Sequence, residues 1–184
     1  MDISEQYSKI IQEIEKGGRG LVRFNEDQLD DLVLQLEEAL DNRNFELIKK
    51  ILCVLEHSSG LYSRAETILL KILNTQLPDA IIIFALNGAR RHIIQAQFQK
   101  GQRLKFDFLE SLKKLLHSSS PEVVEWTLRT IEECGNQGVY FLREFATIKP
   151  APWKWFNAHQ RAVREIITML ERRWSRFEKP KSES

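Results

Sequence analysis

The side chains able to do chemistry in this chain are four histidines, two cysteines, and a set of arginines placed near acids and tryptophans. His57, His92, His117 and His159 are scattered, with no His-Glu-x-x-His pair or other metal-ligand spacing. No CxxC, GxSxG, Walker loop or paired-carboxylate motif occurs. Gly17-Gly18-Arg19-Gly20 reads as a helix stop, because a phosphate cradle needs a strand before it and a helix start directly after it. Cys53 and Cys134 both fall in apolar helical patterns, which suits buried thiols in a reducing compartment. His117 ends a helix, where a cation meets the negative end of the dipole. These residues predict no catalysis, no metal and no cofactor.

Recognition chemistry has more support. At a hundred degrees per residue, Trp126 lies roughly 130° from the centre of the Val123/Val124/Ile131 face, with Arg129 and Glu133 beside it. An exposed tryptophan next to an arginine is the composition of an interface hot spot. The competing reading packs Trp126 against an adjacent helix pair. Arg90 and Arg91, Arg129, and Arg161 and Arg164 recur on the second helices of three successive helix pairs and, with those helices as an inner layer, would face a carboxylate, a phosphate or an acidic helix. Ion pairing with Glu122, Glu125, Glu132 and Glu165 is the plainer alternative. These acids dilute a basic stripe and weaken a nucleic-acid reading.

Trp153, Trp155 and Phe156 beside Lys154 suit a partner anchor, a stacking platform for bases, or a seal over the end of a helical stack, the last being preferred. The final helix carries Arg161, Arg164, Arg172, Arg173 and Arg176 opposite its apolar stripe. Such a helix can lie on a membrane surface, but an end-cap role is favoured.

The elements that position these residues are most legible between Phe108 and Gly135. Phe108, Leu109, Leu112, Leu115 and Leu116 share one helix face. Ser118 to Ser120 interrupt it, because their hydroxyls compete for nearby backbone groups. Ser120 can cap the next helix, with Pro121 at its first position, and Gly135 ends it. Val123, Val124, Thr127, Leu128, Ile131 and Cys134 line its inner face. Two such helices cannot bury both apolar faces alone and need neighbours of the same kind.

The remaining pattern is helical throughout. A helix over 3–16 is followed by an extended stretch from Leu21 to Phe24. Asn25 and Gln28 make a capping-box pattern that opens a helix running to about Leu40. Further helices are expected over 45–57, 61–74, 78–98 and 158–177, the last opened by Asn157 and Gln160. Its stripe is Val163, Ile166, Ile167, Leu170, Trp174 and Phe177. The helix from Pro78 is apolar on nearly all sides in its first half and belongs inside a bundle or stack. From Lys179 on, a charged tail suits disorder.

The 184 residues, 42% apolar and 29% charged, suit a soluble domain that buries roughly 70% of its unfolded surface. The start lacks a signal peptide and no apolar run reaches a membrane span, so a cytoplasmic location is expected. Net charge is +1, but residues 1–60 carry −6 and residues 149–184 carry +5, a polarity that would steer partners or align copies head to tail.

The second helices of successive hairpins begin near Asn44, Pro78, Pro121 and Pro152, at intervals of 34, 43 and 31 residues. Ala80, Phe84 and Ala85 follow Pro78 at the offsets of Val123, Thr127 and Leu128 after Pro121. A two-helix repeat of this length means an α-solenoid. Leu112-Lys113-Lys114-Leu115-Leu116-His117-Ser118-Ser119-Ser120-Pro121-Glu122-Val123-Val124 resembles the HEAT-repeat pattern: a leucine-rich helix, a polar turn, then Pro-x-Val. The match is best over 108–135, with weaker copies over about 26–177. It departs from the usual bacterial pattern at Trp126, Leu128 and Ile131, where small alanines are common, and in its uneven spacing.

The resemblance implies an all-α fold: a short right-handed solenoid of about four HEAT-like hairpins over 26–178, preceded by an N-terminal helix and linker (1–25) and followed by a tail (179–184). It also implies a concave, partner-binding surface on the second helices. The leading expectation is a non-catalytic scaffold for a protein partner, an acidic segment being one form it could present, with Trp126, Arg129, Arg90, Arg91, Arg161 and Arg164 as contact residues. Self-association is a further possibility. The alternative is a nucleic-acid-binding protein similar to the HEAT-like alkylpurine DNA glycosylases, with Trp126, Glu125 and Arg129 imitating their concave set.

Overall fold

The computed structural model describes residues 2–151 and 157–177, and among these it is all-helical apart from one isolated β-bridge. The aromatic cluster at Trp153, Trp155 and Phe156, the side chain of Arg176 and the tail from Lys179 lie outside the described residues. The chain divides into two compact units, Met1–Leu104 and Lys105–Ser184.

In the first unit, α1 (Ile3–Glu15) begins where the Asp2 carboxylate accepts from the backbone N–H groups of Ser4 and Glu5. It ends at Gly17, whose φ of 78° suits glycine. Although the sequence sets residues 1–25 apart, α1 packs against α3 (Phe45–Glu56) inside this unit. α2 (Glu26–Asp41) opens on the expected capping box: Gln28 N–H donates to Asn25 Oδ1 at 2.8 Å, and Asn25 N–H donates to Gln28 Oε1 at 3.0 Å. The extended stretch from Leu21 bridges to the end of α3. Val22 N–H donates to His57 O at 3.0 Å, and Ser59 N–H donates to Val22 O at 2.7 Å.

Two expected helices differ. The segment 61–74 is α-helical only as α4 (Glu66–Leu73), after a 3-10 turn at Ser63–Ala65. The loop before it is held by a buried side chain: Tyr62 N–H donates to His92 Nδ1 at 3.0 Å. The segment 78–98 is α5 (Asp79–Ala89), a π-helical stretch at Arg90–Gln95, and α6 (Ala96–Gln99). Its apolar residues Ile81, Ile82, Ala85, Leu86, Ile93 and Ile94 are buried, as the sequence implies. Gly101, at φ 65°, ends the run.

In the second unit, α7 (Phe106–Leu116) and α8 (Pro121–Glu133) form the hairpin read from the sequence. Ser120 Oγ accepts from Val123 N–H at 3.4 Å, Pro121 is the first helical residue, and Gly135 turns at φ 59°. A 3-10 stretch (Gly135–Phe141) leads into α9 (Leu142–Ile148), and α10 (Ala158–Trp174) packs along α8. Asn157 Oδ1 accepts from Gln160 N–H at 3.1 Å at the start of α10.

The apolar stripe of α10 is shorter than expected: Val163, Ile167, Leu170 and Trp174 are buried, whereas Phe177 lies exposed in a 3-10 turn. Trp174 stacks on Phe145, with centroids 6.3 Å apart, and fills the space left by Gly138. A Cβ on Gly138 would sit 2.2 Å from the Trp174 ring.

Candidate functional site

The middle of α8 and the first turn of α10 bring the second unit's recognition residues together. Trp126 and Arg129 stand one turn apart, and the Arg129 guanidinium lies over the Trp126 ring, 5.8 Å from its centroid. One turn N-terminal to Arg129, Glu125 fixes that guanidinium. Arg129 Nε and Nη2 both donate to Glu125 Oε1, at 3.0 and 2.6 Å. The other carboxylate oxygen, Oε2, accepts from His159 Nδ1 of α10 at 2.8 Å. The carboxylate is only 11% exposed, so it bonds in a poorly hydrated setting where a charge-assisted contact is stronger than in water. The Arg129 side chain is 45% exposed and Trp126 is half-buried. The result is a pre-ordered aromatic–cation surface whose lower layer also ties α8 to α10. Among the described residues Arg129 makes no further hydrogen bond.

Further along the same helix pair, Arg173 Nη2 donates to Glu132 Oε1 at 2.9 Å. Ion pairing by Glu125 and Glu132, the plainer reading of the acids on α8, therefore occurs. Arg164 Nη1 donates to Pro150 O at 2.7 Å, anchoring the described end of the connector. Arg161 is exposed on the first turn of α10. Both arginines border a cleft of about 550 Å³ whose other walls include Ala151, Thr168, Met169 and Arg172.

Arg90 and Arg91 belong to the first unit. Arg91 Nε approaches Gly60 O at 3.4 Å. Burial pushes the nearby Glu56 carboxyl above the usual carboxylate range, and His57, Arg90 and Arg91 pull it back down.

The histidines fall into different roles. His92 is buried. Its Nε2 donates to Leu55 O at 2.8 Å while Nδ1 accepts from Tyr62 N–H, and burial holds its pKa down at about 4. His117 Nε2 donates to Glu144 Oε2 at 3.0 Å, and Lys113 also pairs with that carboxylate at 3.1 Å. These two partners hold Glu144 below the usual carboxylate range. His57 Nδ1 lies 2.9 Å from Cys53 O. Cys53 and Cys134 are free and buried, and burial pushes their thiols up to about 11 and about 12. Among the described residues no cluster of three or more His, Cys, Asp or Glu side chains is placed to hold a metal ion.

The sequence gives His159 no partner, and it gives Glu125 only as an acid beside Trp126 and Arg129. Its second partner stands 34 residues away, beyond the reach of any helical spacing rule. The capping pattern at Asn157 was the one available hint, since it places His159 in the first turn of α10.

The chain matches no protein-family model, no curated protein and no solved structure. What the described residues define is an all-helical protein, none of whose helices is long and apolar enough to cross a membrane.

Proposed function

We propose that this chain is a HEAT-like helical-repeat protein acting as a non-catalytic scaffold, with a protein partner docking on the exposed face of α8, one of the second helices that line the concave surface of such a repeat. The order of packing within each unit supports the repeat. In the first, α2 lies on α3, α2 on α4, and α3 on α5. In the second, α7 lies on α8, α7 on α9, and α8 on α10. First helices neighbour first helices and second neighbour second, as successive hairpins do in a solenoid. The observation that carries the binding role is the Arg129 guanidinium fixed over Trp126 by a carboxylate that is itself held by His159. Ordering the guanidinium before a partner arrives lowers the entropy cost of binding, and tryptophan and arginine are the residues around which interface energy concentrates. The exposed edge of the guanidinium suits a carboxylate, so the partner presents an acidic segment.

A glycosylase-like reading would need Glu125 to be available to a substrate. Its two oxygens are already engaged by Arg129 and His159, which weighs against it. The buried free cysteines support a reducing compartment, and with it a cytoplasmic setting. The test is nuclease-treated affinity capture with the wild type, Trp126→Ala and Arg129→Glu. A protein retained by the wild type and lost by both variants is expected. Unchanged capture by both variants with the fold intact, or recovery of nuclease-sensitive nucleic acid alone, contradicts the proposal.

A further inference from the structure

The most strongly charged element of the molecule has no role in the proposed docking surface. α2 carries seven carboxylates and no base over its sixteen residues. Its buried side is Leu29, Leu32, Leu36, Ala39 and Leu40. On the opposite side Leu34 is 63% exposed. At a hundred degrees per residue, Asp27 and Glu38 fall within about 40° of Leu34. Two other acids of this helix are already engaged: Asp30 by Tyr62 and Arg64, and Asp41 by Lys71. Asp27 and Glu38 are exposed and, among the described residues, make no ion pair.

The outer side of α10 has the opposite chemistry. Arg161 and Arg172 are exposed and, among the described residues, make no ion pair. They border the cleft of about 550 Å³, whose wall includes Met169, itself 37% exposed. The arginines stand eleven residues apart on one helix, as Asp27 and Glu38 do on the other. Each pair spans roughly 16 Å at 1.5 Å per residue. Two straight helices laid along each other can therefore form both ion pairs at once, with Leu34 and Met169 between them. The match extends to the chain as a whole: residues 1–60 carry −6 and residues 149–184 carry +5.

We propose that the α10 cleft of one copy receives α2 of a second copy, an acidic helix laid into a basic groove with an apolar centre. The contact is heterologous, so a pair of copies keeps one unused surface of each kind and assembly continues head to tail. Glu165 also borders the cleft and opposes a continuous polyanion such as duplex DNA, whereas acids spaced like Asp27 and Glu38 straddle it. The arrangement is independent of Trp126 and Arg129 and stands or falls separately from the docking of a partner on α8.

Sedimentation of the purified full chain tests it. A mass-average above the 21.6 kDa monomer is expected, rising with protein concentration in ~50 mM salt and lost in ~1 M salt, where screening acts within about 3 Å. Arg161→Glu with Arg172→Glu, and separately Asp27→Lys with Glu38→Lys, each yield a monomer alone. Mixed, the two double variants associate again as alternating head-to-tail assemblies, since each retains the surface the other has lost and the reversed surfaces also match. A wild type that stays monomeric at all concentrations overturns the proposal. So does self-association that the folded double variants leave unchanged, or a mixture that remains monomeric.

Discussion

Glu125 and His159, 34 residues apart in sequence, meet with Oε2 and Nδ1 at 2.8 Å, while the opposite oxygen of the same carboxylate holds Arg129. One buried group thus joins two helices and orients the cation expected to meet a partner. Glu125→Gln keeps the shape but removes the charge that both neighbours share. Partner affinity is expected to fall about tenfold, consistent with about 1–2 kcal/mol for a charge-assisted hydrogen bond. Arg129→Lys should behave similarly, because an ammonium cannot both reach Glu125 through two nitrogens and lie flat on Trp126. Titration calorimetry against the captured partner reads both. Equal affinity in all three proteins would show that Arg129 needs no fixing.

His92 makes a pH prediction. Its folded pKa of about 4 lies below the ordinary 6.5, so the unfolded chain binds the extra proton first. Its contribution is complete above about pH 6.5 and is lost progressively as pH falls to about 4. The loss is on the order of 3 kcal/mol at most, from 1.36 kcal/mol per unit. His92→Ala removes this slope and leaves Tyr62 N–H and Leu55 O without their partner, costing about 2–4 kcal/mol at neutral pH. Urea unfolding at a series of pH values measures both. Parallel pH profiles for the two proteins would refute the assignment.

Gly138→Ala forces a methyl into the Trp174 ring, 2.2 Å from its nearest atom, with Ile131 O only 3.1 Å away on another side. Destabilisation of about 2–3 kcal/mol is expected, at the upper end for an overpacked core. Thermal unfolding checks it, and a neutral effect would mean that Trp174 has somewhere to move.

The high thiol pKa values and burial of Cys53 and Cys134 predict silence toward alkylating reagents in the native state at pH 8, and two equivalents of label after denaturation. Fast native labelling at either position would contradict their placement.

What was legible in the sequence was governed by short-range rules. The Asn25–Gln28 box, the Ser120–Pro121 start and the glycines at 101 and 135 each depend on groups within a few residues, and all appear. The apolar faces of α2, α3, α7 and α8 follow the helical period and are mostly buried, with Leu115 at the edge. What the sequence did not disclose depends on distant partners. The loop before α4 is held by His92, 30 residues on from Tyr62. The π-helical stretch at Arg90–Gln95 contains no residue that an α-helix excludes and so carries no compositional mark. Nothing near Gly138 marks it, yet its lack of a side chain is the space Trp174 occupies 36 residues later. At the candidate site, Trp126 and Arg129 stood out because they share a helix, while His159 came from another and was invisible beside them.

The proposed docking role of α8 is most directly tested by the equilibrium binding of the captured partner to the wild type and to Trp126→Ala, with circular dichroism confirming that both are folded. A loss of at least about 30-fold, the 2 kcal/mol that marks a hot spot, is the expected result. Equal binding by the two folded proteins would contradict the account.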